Sequence, residues 1–338
     1  MTGKERFLAI AENRSDCCGF WHGHPHKDSQ QALFQYFGVK DDFELGVKLG
    51  DTVCWCMPEE NQMWKHPTQK PMFDFLEGRN RVRLEQEGVF VDCTNPKEVE
   101  NFEWPDVKYC DFTPTLALID RAQKEGMAVL SGVWSPFFHD VANAFGMEEY
   151  FIKMYTDPEV VQAVTNKVVD FYLQASTRLF DLAGDKIDAF FFGNDFGSQL
   201  DLLISPQAFE TFILPSFIQF TKLAKSRGYK VVLHSCGAIS RAIPYLVDAG
   251  VDVLHPLQAK ARNMDADYLA QHFKGKISFM GGIDMQQLLT FGTPDEIYAD
   301  VARVVQTLGN NFIISPSHEC ILPNVPPANL QALAQAAA

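Results

Sequence analysis

The sequence predicts an α/β protein of the (β/α)8, or TIM barrel, class, and three observations predict it. Short runs rich in β-branched and aromatic residues begin near 17, 52, 128, 187, 230, 251, 277 and 311, which makes eight. Stretches with helical apolar spacing follow them, most regularly after residue 113. Most runs also end in a polar or metal-capable residue, as barrel strands do where their loops meet at one face. An open doubly wound sheet is the alternative. No Gly-x-Gly-x-x-Gly or Walker-type loop is present, so nucleotide binding has no positive sign.

In chain order, a short helix is expected over Lys4 to Glu12, where Phe7, Leu8 and Ile10 are apolar. Cys17 to Trp21 reads as the first strand and runs into His22-Gly-His24-Pro-His26. Gly and Pro make that tract an irregular loop. It suits substrate contact, through His22 above all, better than metal binding. Helices follow at Ser29 to Phe37 and Phe43 to Leu49, then a strand at Asp51 to Trp55. Cys54 and Cys56 there read as buried, inert thiols.

From 57 to 106 the pattern breaks into short pieces punctuated by prolines at 58, 67, 71, 96 and 105. We read this stretch as an irregular insertion after the second strand, within one domain spanning 1–338. Arg81 to Leu84 and Gly88 to Asp92 alternate as a hairpin would.

Thr113 to Lys124 has Leu116, Ile119 and Ala122 at helical spacing, and Ala128 to Gly132 is a strand leading to Trp134. Helices are expected at 139–154 and 158–183, the second starting on Asp157-Pro158-Glu159. The strand Ile187 to Gly193 ends at Asn194-Asp195. A helix from Ser205-Pro206 to about Arg227 should kink at Pro215. Strands at Lys230 to His234, Val251 to His255, Ile277 to Met280 and Asn311 to Ser315 alternate with helices at 239–249, 266–273, 293–309 and 327–336.

The formal net charge of −14 argues against nucleic acid and against an anionic membrane surface as partners. With 46% hydrophobic and 21% charged residues the chain is globular. Eight cysteines in 338 residues do not form a small-domain disulfide framework. The N-terminus lacks the apolar core of a signal peptide, and no stretch approaches ~20 apolar residues. A cytoplasmic protein with reduced thiols is expected.

The chemistry concentrates in Lys230-Val-Val-Leu-His234-Ser-Cys236-Gly237. Alternate residues of a strand share a face, so His234 and Cys236 can point one way. Ser315-Pro-Ser-His-Glu-Cys320 ends another apolar run. One His and two Cys from two strand ends would make a three-ligand catalytic zinc site with one position open. The alternative is a polar strand end, a buried thiol and an unrelated Cys320. A barrel would collect His22, Trp134, Asp195, His234, Cys236, His255, Asp284 and Cys320 around one cavity. Asp195 and Asp284 would serve as the catalytic carboxylates, and His22, Trp134 and His255 as substrate contacts. Phe137 and Phe138 read as core. A thiolate-rich zinc site suits lowering a thiol's pKa, or Lewis-acid help at an ether or alcohol oxygen. Both belong to methyl transfer.

Leu-His234-Ser-Cys236-Gly, with Ile243 to Gln258 after it, resembles the uroporphyrinogen decarboxylase superfamily, in its corrinoid-dependent methyltransferase branch. Gly193-Asn-Asp195-Phe-Gly197, Ile204-Ser-Pro206, Met280-Gly-Gly282-Ile-Asp284 and Glu319-Cys320 resemble that branch too. The resemblance covers about 110–338 well and the first hundred residues loosely. It implies a barrel with zinc on His234, Cys236 and Cys320. It also implies a methyl group exchanged between a small substrate and the cobalt of a separate corrinoid protein. His255, His318 and Glu319 are candidates for a fourth ligand. The decarboxylase pattern places an arginine after the first strand, where this chain has Phe20 to His26 without one. Porphyrinogen decarboxylation therefore ranks second, and a non-catalytic ligand-binding barrel third.

Overall fold

The computed structural model describes residues 1–75 and 87–338. Among these, eight strands form one parallel sheet: β1 (Gly19–Phe20), β2 (Val53–Cys56), β3 (Ala128–Ser131), β4 (Ala189–Gly193), β5 (Lys230–His234), β6 (Val253–Leu257), β7 (Ser278–Ile283) and β8 (Phe312–Pro316). Their order is β1-β8-β7-β6-β5-β4-β3-β2, with helices between them. This is a nearly closed (β/α)8 barrel, as the sequence predicts.

Period-two alternation separates inside from outside. Val53, Leu130, Phe191, Val232, Val253, Met280 and Ile313 fill the interior together with Phe7 and Ile10 of the first helix (Gly3–Ala11). Their neighbours Val129, Phe190, Phe192, Leu233, Leu254 and Phe312 belong instead to the larger core that includes the helices. The first helix closes the N-terminal end: Ser278 donates to the Ile10 carbonyl at 2.5 Å.

The seam between β1 and β2 carries no strand ladder. The Thr52 amide donates to the Phe20 carbonyl at 2.7 Å, and the Phe20 amide donates to the Thr52 hydroxyl at 2.9 Å. The His22 amide donates to the Asp51 carboxylate at 2.9 Å. Two side chains thus do the work of a ladder, because β1 is only two residues long.

Several boundaries differ from expectation. The predicted helix over 139–154 is two helices, Phe137–Phe145 and Met147–Thr156, divided at Gly146, whose φ of 92° suits glycine. Before Pro215 the chain makes a π-turn, Phe209–Ile213, which absorbs the missing amide where a simple kink was expected. Arg81 to Leu84, half of the expected hairpin, lies outside the described residues. Gly88 to Asp92 forms turns and no strand. The stretch after β2 packs on the barrel's helices: Phe73 meets Phe171 at 5.4 Å, and Phe90 meets Phe145 at 6.1 Å. Among the described residues no helix is long and apolar enough to cross a membrane.

Replacing Thr52 by Val leaves the buried Phe20 amide without its acceptor. The variant should lose about 1–3 kcal/mol of unfolding free energy in urea titration. An unchanged midpoint would mean the seam does not depend on that hydroxyl.

Candidate functional site

The strand ends gather at the C-terminal face. His234 closes β5 and, by the parity of Val232, points inward; His255 in β6 does the same by the parity of Val253. They are paired in register, and both are buried. Their Nδ1 atoms lie 3.1 Å apart, so one ring donates and the other accepts. Burial and the neighbouring His234 charge hold His255 well below its usual pKa, so it is neutral and accepts. His234 then donates from Nδ1, and its Nε2 faces the turn after the strand.

That Nε2 lies 3.4 Å from the Cys236 sulfur and 3.3 Å from Asp195 Oδ1. The same carboxylate oxygen accepts the Cys236 amide at 2.8 Å, fixing the turn after β5. Gly237 follows at φ 88°, its amide donating to Gln258 at 2.9 Å. Burial opposes charge on Asp195, but the hydrogen bond to His234 outweighs it and holds the carboxyl well below its usual range. Burial, reinforced by the charges of Asp195 and Glu319, pushes the Cys236 thiol far up.

From the segment after β8, Glu319 Oε2 comes within 3.8 Å of His234 Nδ1 and 3.5 Å of His318 Nδ1. Among the described residues three overlapping trios have donor atoms within 4.8 Å of one another: Asp195-His234-Cys236, His234-His255-Glu319 and Cys236-His318-Glu319. The donor set fits a divalent ion. Glu319 Oε2 is buried with no hydrogen-bond partner. The Cys236 thiolate is disfavoured until a cation offsets its carboxylate neighbours.

Cys320 joins none of these trios. It sits half-buried in a two-residue strand paired with His24–Pro25, and burial raises its thiol. Asp284 is not with them either: its Oδ1 accepts the Gln286 amide at 2.9 Å, and Oδ2 lies 3.6 Å from Lys260. Trp134 covers His234, with ring centroids 5.0 Å apart. Phe137 and Phe138 are core, as expected.

His22 lies apart from the trios, in a charged chain. Its Nδ1 meets Asp51 at 2.7 Å and its Nε2 meets Asp42 at 3.1 Å; Asp42 in turn meets His24 at 3.2 Å. Cys54 and Cys56 are buried, their sulfurs 3.5 Å apart. Two neighbours escaped the sequence reading. Trp55 packs against Trp134 at 5.6 Å, and His139 is half-buried, its Nδ1 shielded from solvent and unpartnered, and feels the charges of Asp195 and His234. Trp55 could have been found from strand parity with Val53, whereas His139 lies in a helix with no local signal.

The uroporphyrinogen decarboxylase (URO-D) family model matches residues 85–338. A curated relative, the methylated-thiol–coenzyme M methyltransferase of Methanosarcina mazei, is 28% identical over 209 residues. That match takes in 61% of this chain and 53% of the relative, so it spans about half the relative's length. A solved structure titled methyltransferase from Methanosarcina mazei superposes with a TM-score of 0.63 at 16% identity. It covers 100% of this chain and 98% of the other, which speaks to the fold.

The His22 chain has a pH signature. Burial works against its charge, but Asp51 and Asp42 outweigh burial and raise its pKa to about 10. A folded value above the unfolded ~6.5 stabilises fully below pH ~6.5 and is lost as pH rises through about 10. Urea unfolding from pH 6 to 10 should therefore show falling stability, with a shallower fall in His22→Gln. Equal slopes would remove the charged-histidine assignment.

Proposed function

The chain belongs to the uroporphyrinogen decarboxylase family, and from that premise we propose that it is a zinc-dependent methyltransferase. In this reading it exchanges a methyl group between a small substrate and the cobalt of a separate corrinoid protein. One observation carries the proposal: His234 Nε2 and Cys236 Sγ stand 3.4 Å apart at the end of β5. Zinc bonds of about 2.0 Å to nitrogen and 2.3 Å to sulfur at a tetrahedral angle give a separation of about 3.5 Å. The partial likeness to a methylated-thiol methyltransferase supports the reaction class.

His234 and Cys236 would hold the metal. The third donor comes from the Glu319-Cys320 pair. Glu319 is the member of that pair found in the trios, and Cys320 is the member whose soft sulfur suits a thiol-activating site. Zinc bound there lowers the pKa of a thiol and polarises an ether or alcohol oxygen. Asp195 sets the Cys236 backbone, and neutral His255 accepts the His234 Nδ1 proton and so orients the ring. Trp134 shields one side of His234 from water. The methyl group departs without its bonding pair, which stays on the substrate's heteroatom. The new bond takes its pair from cobalt(I).

Metal analysis should find about one zinc per chain in the wild type and little in Cys236→Ser; equal zinc in both would end the claim. Cys320→Ser should also lose zinc while Glu319→Gln keeps it. The reverse pattern would assign the third donor to the carboxylate. Incubating the zinc-loaded protein with reduced cobalamin and a panel of methyl thioethers, ethers, alcohols and amines should turn the cobalt(I) spectrum into that of methylcobalt(III). No change with any donor, and no demethylation of methylcobalamin by thiols, would leave a ligand-binding barrel.

A further inference from the structure

Five rings from different strand ends close a circle at the barrel mouth. Trp21, just after β1, meets Trp55 of β2 with centroids 5.5 Å apart, and Trp55 meets Trp134 at 5.6 Å. Trp134 meets His234 at 5.0 Å, His234 meets His255 at 5.1 Å, and His255 returns to Trp21 at 5.5 Å. Phe191, one layer deeper on β4, is the floor of this cup. It touches Trp55 at 5.0 Å, Trp134 at 5.7 Å and His255 at 5.5 Å. The cup opens outward at Trp55, which lines a cavity of about 530 Å³ with Trp21 and another of about 900 Å³ with Trp134.

The imidazole pair decides where hydrogens point in the cup. The two Nδ1 atoms, 3.1 Å apart, share one proton. Zinc on His234 Nε2 needs that nitrogen bare, so the hydrogen of this ring sits on Nδ1 and His255 Nδ1 accepts it. A ring that accepts at Nδ1 carries its own hydrogen on Nε2. His255 is 0% exposed, and among the described residues its Nε2 has no hydrogen-bond partner. Trp55 Nε1, which can only donate, is buried without a partner as well. A buried N–H without an acceptor is costly. The neighbouring rings offer only π faces: His255 stands edge-on to Trp21 and Phe191, at 69° and 82°. Such a contact is weaker than an N–H···O bond.

We propose that this cup is the subsite for an acceptor oxygen, carbonyl or ether, on the small substrate, held by the N–H groups of His255 and Trp55. The inference rests on the methyltransferase reading for the zinc that sets the tautomers. It deepens that reading by naming the substrate's second functional group. The held oxygen takes no part in the bond changes. The methyl group's bond to its heteroatom breaks beside His234 and Cys236, with the methyl passing to cobalt(I) and the pair remaining on the heteroatom.

Two probes of one shape differ only in the acceptor: 4-(methylthio)butan-2-one, and 2-methyl-4-(methylthio)but-1-ene, in which a methylene replaces the oxygen. Binding to the zinc-loaded full chain is read by calorimetry, without cobalamin. The ketone should bind at least tenfold more tightly than the alkene. Trp55→Phe keeps a ring and removes its N–H. His255→Asn keeps an acceptor for His234 and removes the outer N–H. Each variant, at wild-type zinc content, should narrow the ratio threefold or more, and Trp55→Phe decides alone if His255→Asn does not fold or loses zinc. A ketone bound no more tightly than the alkene means N–H···π contacts only and overturns the proposal. So does a ratio unchanged in either zinc-loaded variant, which would place the preference at the metal, or no binding of the ketone at millimolar concentration. The cobalt spectrum with the same probes reports the reaction separately. Ketone selectivity without methyl transfer from either probe retires the methyltransferase reading and keeps the acceptor subsite. Transfer from both at equal KM does the opposite.

Discussion

The pairing of Gly193 with His234, and of His234 with His255, across three adjacent parallel strands is the constraint on which the site depends. Strand parity turns all three positions inward, because Phe191, Val232 and Val253 two residues earlier fill the barrel. A slip of one residue would send both imidazoles to the helix side and bring Leu233 and Leu254 to the mouth. Gly193 matters for a second reason. A Cβ there would fall 2.1 Å from the Trp134 indole, so only glycine lets that ring lie against His234. Sheet register thus fixes the imidazole pair and the aromatic cover together.

Electrostatics follows from that placement. Two imidazoles 3.1 Å apart cannot both be charged when buried, and the pair resolves into a neutral His255 and a His234 held up, against burial, by Asp195 and Glu319. Burial, reinforced by the same two carboxylates, pushes the Cys236 thiol upward. Left to itself the cluster disfavours a thiolate, and a divalent cation reverses that sign.

Much of the fold was legible because its signals are local. Eight apolar runs with period-two alternation are barrel strands, and Asp157-Pro158 opens the long helix Pro158–Ala183 as its sequence indicates. Boundaries slipped where one glycine or a tight turn decided, as at Gly146 and at the π-turn before Pro215. The closeness of His234 and Cys236 was readable, since both follow from one strand. Asp195, His255 and Glu319 were named from their places at or after strand ends, but which of them would stand beside the pair was not readable. Glu319 joins the donor trios and Cys320 does not, and the segment that carries both is placed by pairing with His24, 296 residues from Cys320 by number (320 − 24). His22, expected to contact substrate, is held between Asp51 and Asp42 beside the barrel seam. Long-range pairings of this kind leave no mark in local spacing.

Family membership and the TM-score of 0.63 set the barrel on firm ground, while the chemistry rests on the donors at the end of β5. X-ray absorption at the zinc edge of the metal-loaded protein tests them most directly. The account predicts a four-coordinate first shell with sulfur at about 2.3 Å and nitrogen at about 2.0 Å, the sulfur contribution falling in Cys236→Ser. A shell of oxygen and nitrogen alone, unchanged by that substitution, would contradict it.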